Sequence, residues 1–268
     1  MPVLSDLEPR EVFAWFERLC AIPHGSHHAK AISDYLVAFA REHGLACRQD
    51  AANNVVIRKA ASAGYENAPV VMLQGHIDMV CEKDADCGKD METEGLDLFV
   101  DGDVIGARGT TLGGDDGIAV AMALAVLDAD DIPHGPLECV FTADEEVGMI
   151  GARALDASDL KAKYLINIDS EEEGVLTVSC AGACHMACTL PVTRVPFDGQ
   201  TLRVRISGLA GGHSGEEIHK GRANANLLLG RALDEMSRAG ALRLIRVSGG
   251  AKDNAIPREA EAVVRTGD

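Results

Sequence analysis

The stretch LQGHIDMV, residues 73–80, places a histidine and an aspartate two residues apart directly after an apolar run. Successive side chains of a β-strand point to opposite faces, so His76 and Asp78 would leave a strand on the same face. An imidazole and a carboxylate placed in this way can bind a metal ion, with the acid orienting the ring. They can also simply hydrogen-bond where a strand ends in water, and this segment alone leaves both interpretations open.

Two aspartates stand in a glycine-bounded turn, TTLGGDDGIA, that leads into a run of small apolar residues typical of a buried helix. A helix N-terminus stabilises carboxylates, so Asp115 or Asp116 could serve only as a cap. One aspartate would satisfy that role. A second one, with glycines on both sides, favours a turn whose backbone closely approaches a bound group.

Acidic residues also follow two further predicted strands. FTADEEVG carries Asp144, Glu145 and Glu146, and three adjacent acids repel one another unless a cation or water separates their charges. Asp169 in LINIDSEEEG follows an apolar run, which predicts that it points inward, whereas the three glutamates behind it are typical of a hydrated loop. A hydrated loop is the alternative interpretation for the acidic triplet as well.

Together the four segments place acids and a histidine near the carboxyl ends of strands in one predicted sheet, where open α/β sheets bind their ligands. Bare carboxylates converging at this density would repel one another strongly. A mixed set of imidazole and carboxylate groups suits Zn²⁺, Mn²⁺ or Co²⁺, and several carboxylates suit a pair of ions. We therefore interpret His76 as a metal ligand and Asp78 as the residue that orients its ring.

The elements that must position these groups alternate between helix-like and strand-like patterns. Apolar spacing predicts helices over 9–22, 29–43 and 117–129, and strands over 53–59, 69–75, 137–143 and 163–169. This alternation predicts an α/β fold with a mixed, largely parallel sheet flanked by helices. The helix over 117–129 is apolar on nearly every face, which predicts a place in the interior against the sheet.

The pattern changes around residue 186. TLRVRISG (201–208) alternates apolar and polar residues, as a one-sided antiparallel strand does, and a predicted helix over 223–240 follows it. Two more strand-like runs, LRLIRVSGG and EAEAVVR, complete this region. We therefore predict a metal-binding domain over 1–186 and a second, smaller α+β domain, incomplete, over 187–268.

Composition excludes several classes of function. The chain has 268 residues, with 25 Lys and Arg against 42 Asp and Glu, a formal net charge of −17. Such a charge repels phosphate backbones, so no nucleic acid is expected as a partner. The N-terminus lacks the features of a signal peptide and no apolar run reaches the roughly 18–20 residues of a spanning helix, so we expect a cytoplasmic protein that does not bind membranes.

Eight cysteines in a cytoplasmic protein are expected to be reduced thiols rather than disulfides. Cys180, Cys184 and Cys188 have a four-residue spacing that would suit a metal cluster, but no CxxC pair is present. The segment looks like two strands joined by a glycine-containing turn. We therefore expect buried thiols there rather than a cluster.

Six motifs, in order between about residues 20 and 260, resemble the N-terminal part of the M20 metallopeptidase family, and within it the aminoacyl-histidine (Xaa-His) dipeptidases. They are GHIDMV, ARGTTLGGDDGIA, TADEEVGM, NIDSEEEG, GGHSGEEIHKGRANAN and NAIPREA. The resemblance implies a zinc-peptidase fold with residues 187–268 as a partial lid and dimerisation domain. It also implies four metal ligands in this sequence: His76, Asp115, Glu146 and Asp169.

The same resemblance implies how such a site would work. Two Zn²⁺ ions, with Co²⁺ or Mn²⁺ as alternatives, would activate a water that hydrolyses dipeptides, in particular carnosine-like Xaa-His dipeptides. Glu145 would be the general base, and Asp78 would orient His76. His213, in GGHSG, would reach the partner subunit's active site in a homodimer and stabilise the oxyanion. A surface turn is the alternative interpretation for this histidine.

The sequence departs from the family in one respect. Family members are considerably longer, return to the catalytic domain after the lid and supply a last histidine ligand near their C-terminus. No histidine follows His219 here, so we expect one of five ligands to be absent. Two alternatives therefore stay open: a catalytically impaired fragment or dimerisation protein, and a related M20 amidohydrolase such as a deacetylase or aminoacylase.

Overall fold

The computed structural model describes residues 2–170, 172–180, 182, 186–215, 217–252 and 254–267. The chain divides into two compact units, residues 1–181 and 182–268. The pattern of apolar and polar residues changes around residue 186, close to the division between these two units. The roles assigned to the two predicted domains stay predictions.

Unit 1 combines helices and strands in alternation. The helices described in it are α1 (Arg10–Cys20), α2 (Lys30–Glu42), α3 (Gly114–Asp128) and α4 (Ile150–Ala154). The strands are β1 (Ala46–Gln49), β2 (Val55–Lys59), β3 (Val71–His76), β4 (Leu98–Asp101), β5 (Val104–Ala107), β6 (Leu137–Thr142) and β7 (Tyr164–Asn167). Each of the three helices and four strands predicted between residues 9 and 169 is therefore present, with small differences at its ends.

The main sheet contains five of the described strands in the order β1-β2-β6-β3-β7. β3 pairs in parallel with both of its neighbours, β6 and β7, whereas β2 is antiparallel to β1 and β6. All strands except β2 thus run in one direction, which confirms the predicted mixed, largely parallel sheet. β4 and β5 form a separate antiparallel pair that the sequence analysis did not predict.

Both faces of the sheet are covered at its central strands, as their nearly continuous apolar character requires, whereas the edge strand β7 is exposed along its length. One face packs against α1, α2 and α3 in the main core, where Leu124 and Phe141 are fully buried. The opposite face carries Val56 and Val140, which pack against side chains in the segment 155–162. α3 lies between α1 and β3, the interior position that its apolar character predicts.

The segment after β7 differs from its prediction. Residues 172–180 and 186–198 form no helix or strand, and Leu176 and Val178 are more than nine-tenths exposed. An apolar pattern is buried only where a surface opposes it, and no described element packs against these two side chains. The expected pair of strands with buried thiols is therefore wrong, because Cys180 and Cys188 are exposed. Cys184 lies outside the described residues.

The cysteines of the described residues can also be compared with the predicted reduced state. The seven cysteines among the described residues are free thiols. Within that same part of the chain, no group of potential metal ligands includes a cysteine. Free thiols are the state predicted for these cysteines, whereas the absence of a cysteine metal cluster stays a prediction.

Unit 2 is an antiparallel sheet packed against one long helix. Its elements are β8 (Gln200–Ile206), α5 (Ala225–Ala239), β9 (Leu242–Gly249) and β10 (Ala260–Thr266), with the strand order β8-β10-β9. Alternate residues of β10, such as Ala262 and Val264, are buried against Leu229 of α5. α5 begins after Asn224, whose side chain accepts hydrogen bonds from two backbone amides of the first turn. Among the described helices of both units, none has the length and apolar character needed to cross a bilayer.

Candidate metal centre

Three parallel strands of the main sheet end at the same edge and carry the predicted site residues there. His76 is the last residue of β3, the acidic triplet 144–146 follows β6, and Asp169 follows β7. Asp115 lies in the first turn of α3. Because β6, β3 and β7 are adjacent and parallel, residues far apart in the sequence meet at their carboxyl ends.

The imidazole of His76 lies at the centre of this cluster and is only 1% exposed. Its Nε2 lies 2.8 Å from Oδ1 of Asp115. The same nitrogen lies 4.0 Å from a carboxylate oxygen of Glu145 and 4.0 Å from one of Asp169. The acids therefore surround a single ring nitrogen.

Two overlapping sets of ligand atoms are close enough together to hold an ion. One set is His76, Asp115 and Glu146, and the other is His76, Asp116 and Asp169. Within each set the ligand atoms lie within 4.8 Å of one another. The structure thus brings together all four of the ligands predicted from the sequence, and it adds Asp116.

The opposite nitrogen of the His76 ring is fixed by Asp78. Nδ1 lies 2.9 Å from the backbone carbonyl oxygen of Asp78 and 3.5 Å from its carboxylate Oδ1. A carbonyl oxygen only accepts, so Nδ1 carries a proton and donates it. Nε2 is the nitrogen that faces the acids, as a metal ligand would. Asp78 thus orients the ring through its backbone as well as its side chain.

Asp116 is the residue whose role the sequence analysis left open. It is 1% exposed, and its Oδ2 accepts a hydrogen bond from the backbone amide of His76 at 3.1 Å. Its Oδ1 has no hydrogen-bond partner among the described residues. Neither Asp115 nor Asp116 has helical dihedral angles, and no side chain caps α3. The interpretation of this acidic pair as a simple helix cap is therefore wrong.

Glycine is required beside Asp116. A Cβ atom on Gly75 would lie 2.7 Å from Oδ2 of Asp116 and 3.1 Å from the Cβ of Ala119. The glycine before His76 in GHIDMV thus lets α3 approach the end of β3. Without that approach, Asp115 would not reach the His76 ring.

The crowding of acids changes the protonation of the cluster. Burial, together with the charge of Asp115, raises the pKa of Glu146 to about 7, and burial raises the pKa of Asp116 to about 7. Burial alone would lower the pKa of His76. The hydrogen bonds to Asp78 and Asp115 and the charges of Asp78 and Asp116 outweigh it and raise this pKa to about 10. In the absence of metal, bound protons therefore reduce the repulsion between the acids.

These pKa values predict that Zn²⁺ displaces protons when it binds. At pH 7 His76 carries a proton that a metal ligand must lose, and Glu146 is about half protonated. We expect more than one proton to be released per chain at pH 7, and the apparent affinity for Zn²⁺ to rise from pH 6 to pH 8. Calorimetric titrations in buffers of different ionisation enthalpy would count the protons. Binding without proton release, and with an affinity independent of pH, would contradict this expectation.

The donor set fits a divalent cation of the zinc type. One neutral imidazole nitrogen and several carboxylate oxygens are ligands that Zn²⁺, Mn²⁺ and Co²⁺ accept. The unpartnered, buried Oδ1 of Asp116 is costly unless a cation or a water satisfies it. The described residues thus include a group that could hold a metal ion of this type.

Glu145 is anchored to the site through its backbone. Its amide donates to Oδ1 of Asp78 at 2.9 Å, and Oδ2 of Asp78 accepts from the Ser26 hydroxyl at 2.8 Å. Burial would raise the pKa of Asp78, but hydrogen bonds from His76, Glu145 and Ser26 outweigh it and lower this pKa. Burial raises the pKa of Glu145 itself. Ser26 is not among the predicted site residues, because nothing in IPHGSHH marks it as close to Asp78.

His213 lies in unit 2, in a turn that is stabilised by hydrogen bonds to Glu217 and Gly215. Its backbone amide donates to Glu217 Oε2 at 3.0 Å, and its Nδ1 accepts from the amide of Gly215 at 3.2 Å. Gly212 has a φ of +138°, and a Cβ there would lie 2.4 Å from Arg222 and from Glu217. The turn therefore depends on glycine, and the catalytic role of His213 stays a prediction.

Comparison with known proteins places this site in a family. Residues 72–255 match the model of peptidase family M20/M25/M40. The chain therefore belongs to this family. The match begins within β3 and includes every predicted site residue from His76 to His213, and the resemblance inferred from the motifs is confirmed.

Individual relatives agree with this assignment. The cytosol non-specific dipeptidase of Escherichia coli (strain K12) is 45% identical over 266 residues, which are 98% of this chain and 55% of the relative. The crystal structure of an aminoacylhistidine dipeptidase from Vibrio alginolyticus is 40% identical, with a TM-score of 0.69 over 98% of this chain and 54% of that one. A tripeptidase from Staphylococcus aureus shares the fold at 20% identity and a TM-score of 0.54, over 98% and 67% of the chains. The M20 chain described here spans about half the length of the first two relatives.

Proposed function

We propose that this M20 chain carries most of the active site of a metal-dependent dipeptidase. The observation that supports the proposal most directly is the convergence of four residues at one edge of the sheet: His76, Asp115, Glu146 and Asp169. The names of the Escherichia coli and Vibrio alginolyticus relatives, which match 98% of this chain at 40% identity or more, agree with it, since both are called dipeptidases.

The cofactor that we propose is a pair of Zn²⁺ ions, with Co²⁺ or Mn²⁺ as alternatives. The four convergent residues would hold them, and Asp116 supports the inner side of the cluster through the amide of His76. Two overlapping ligand sets favour two ions over one. Bound ions of this type lower the pKa of a water and polarise the scissile carbonyl group.

Glu145 is the proposed general base. It would take a proton from the attacking water and deliver it to the amine that leaves. Its carboxylate is 34% exposed and 4.0 Å from His76 Nε2, so it is accessible to both water and substrate. The adjacent Glu146 belongs to the ligand set. Asp78 holds the Glu145 backbone and the His76 ring, so the base and the ligand keep their relative positions.

The substrate class, the assembly and the location are further parts of the proposal. The name of the aminoacylhistidine dipeptidase from Vibrio alginolyticus supports dipeptides with a C-terminal histidine as substrates of this chain. The name of the Escherichia coli relative, which is called non-specific and cytosolic, supports a wider range of dipeptides and a cytoplasmic location. We propose that the region 187–268 acts as lid and dimerisation domain, as the family resemblance implies. His213 would then stabilise the oxyanion in the partner subunit's active site of a homodimer.

Hydrolysis assays on the purified chain with Zn²⁺ test this function. The substrates are β-alanyl-histidine, a dipeptide without histidine, and an N-acetyl amino acid. We expect release of amino acids from the dipeptides and none from the N-acetyl amino acid. Turnover of the N-acetyl amino acid alone would favour an M20 amidohydrolase. Metal binding without turnover of any substrate would favour a catalytically impaired fragment.

A further inference from the structure

Three separate segments of unit 1 are joined by a closed ring of hydrogen bonds next to the metal-binding residues. The Ser26 hydroxyl donates to Oδ2 of Asp78 at 2.8 Å, and the amide of Glu145 donates to Oδ1 of the same carboxylate at 2.9 Å. The amide of His27 donates to Oδ1 of Asp144 at 2.6 Å. Ser26 and His27 are neighbours in the sequence, as are Asp144 and Glu145. The three hydrogen bonds therefore form a closed ring that includes the Asp78 carboxylate.

The segment that contributes Ser26 is itself held firmly against the end of β3. The amide of Met79 donates to the carbonyl of His24 at 3.1 Å, and the amide of Ser26 donates to the carbonyl of Met79 at 3.2 Å. A Cβ on Gly25 would lie 2.6 Å from the Sγ of Cys81, so glycine permits this close approach. Ser26 is thus placed by backbone bonds and does not depend on Asp78 for its position.

Asp78 connects this ring of hydrogen bonds to His76 and Glu145, which take part in the proposed reaction. Its carboxylate is 1% exposed and lies 3.5 Å from Nδ1 of His76. One of its oxygens faces Ser26 and the other faces the amide of Glu145. A buried carboxylate that loses one of its donors is no longer held in a single orientation, so its remaining hydrogen bonds open more often.

We propose that Ser26 is a positioning residue of the hydrolytic site, which acts through Asp78 on Glu145 and on the His76 ring. The Ser26 hydroxyl and the His27 amide lock the β3 end and the 144–145 turn together, so that the Glu145 carboxylate stays directed towards His76. This role rests on the proposed function, because the roles of Glu145 and His76 are assigned there.

The test compares Ser26→Ala with a matched control, Ser33→Ala, in the 268-residue chain. Ser33 is fully buried, and its hydroxyl donates to the carbonyl of Asn53 at 2.8 Å. Both variants therefore lose a hydrogen bond donated by a hydroxyl inside unit 1, and Ser33→Ala also loses the bond that its hydroxyl accepts from Gln49 Nε2 at 2.8 Å. Ser26→Thr, which keeps the hydroxyl, is the conservative variant that should restore the wild-type behaviour.

The first measurement is amide hydrogen exchange in the metal-free chain, read in peptides that contain residue 145. We expect exchange of the Glu145 amide to be several-fold faster in Ser26→Ala and unchanged in Ser33→Ala. The second measurement is calorimetric titration with Zn²⁺ alone, where Ser26→Ala should bind about tenfold more weakly and Ser33→Ala like the wild type. In dipeptide hydrolysis, Ser26→Ala should lower kcat about tenfold with little change in KM.

Exchange at residue 145 that is equal in Ser26→Ala and Ser33→Ala would overturn the role of Ser26. If Ser26→Ala does not fold, Ser26→Cys keeps the volume with a weaker donor and should still speed exchange at this amide. The exchange arm needs neither metal nor substrate. It decides the inference even where the wild-type chain shows no turnover, a result that would contradict only the proposed function.

Discussion

Replacement of Glu145 by Gln should lower kcat for dipeptide hydrolysis by about 10²–10⁴-fold, the range over which a general base contributes. The amide side chain has nearly the same shape as the carboxylate but cannot take a proton from water. The Glu145 backbone bond to Asp78 does not involve the side chain, so the turn should keep its position. Steady-state kinetics on the wild type and the variant would measure the effect.

Binding of Zn²⁺ distinguishes this loss from a loss of metal. Calorimetry should give nearly the same affinity for Glu145→Gln as for the wild type, because Glu146 rather than Glu145 belongs to the ligand set. The matched variant Glu146→Gln should show the opposite pattern, with weakened binding. Retention of most of the turnover in Glu145→Gln would show that another group removes the proton.

Replacement of His76 by Ala should abolish Zn²⁺ binding at this site. His76 belongs to both ligand sets, and its Nε2 is the nitrogen that faces the acids. Loss of residues that merely support ligands costs about 10–100-fold in metal affinity, so we expect loss of a shared ligand to cost more than about 100-fold. Calorimetric titration and metal analysis after dialysis would measure the remaining affinity and stoichiometry.

His43 offers a control for the His76 variant. Its Nε2 lies 2.9 Å from Asp128, so it is also a histidine paired with an acid in unit 1, but it is absent from both ligand sets. His43→Ala should bind Zn²⁺ like the wild type. Equal binding by His76→Ala and the wild type would mean that the metal binds elsewhere.

The sequence predicted the main sheet well because its strands carry a strong local signal. The runs NNVVIRK, PVVMLQG and LECVFTA are apolar and β-branched over the length of a strand, and each corresponds to a strand of unit 1. PVVMLQG and LECVFTA, together with the strand that precedes Asp169, are parallel neighbours, so the acids that follow these three strands must meet at one edge. The convergence of His76 with Asp169 therefore followed from pattern and topology together.

Other features depend on contacts that a linear pattern does not contain. Asp116 looks like a helix cap in the sequence, but the backbone of the turn directs it to the amide of His76. Ser26 reaches Asp78 across 52 residues of sequence, and no local signal marks such a pair. The exposed Leu176 and Val178 show the opposite case, in which an apolar pattern has no described surface to cover it.

The short strands β4 and β5 were also missed. Each has only four residues, and they are joined by Gly102 at a positive φ of 63°. The sequence FVDGDVIG does contain an Asp-Gly turn signal between apolar residues. This dipeptide is the signal that indicates the hairpin. The apolar pattern is weak because both strands have exposed sides.

Anomalous X-ray diffraction from crystals of the chain grown with Zn²⁺ shows directly whether metal ions bind among the side chains of the candidate metal centre. Data collected on both sides of the zinc absorption edge should show two peaks about 3.5–4 Å apart, in contact with His76, Asp115, Glu146 and Asp169. At saturating Zn²⁺, the absence of any anomalous peak beside Nε2 of His76 would contradict the account.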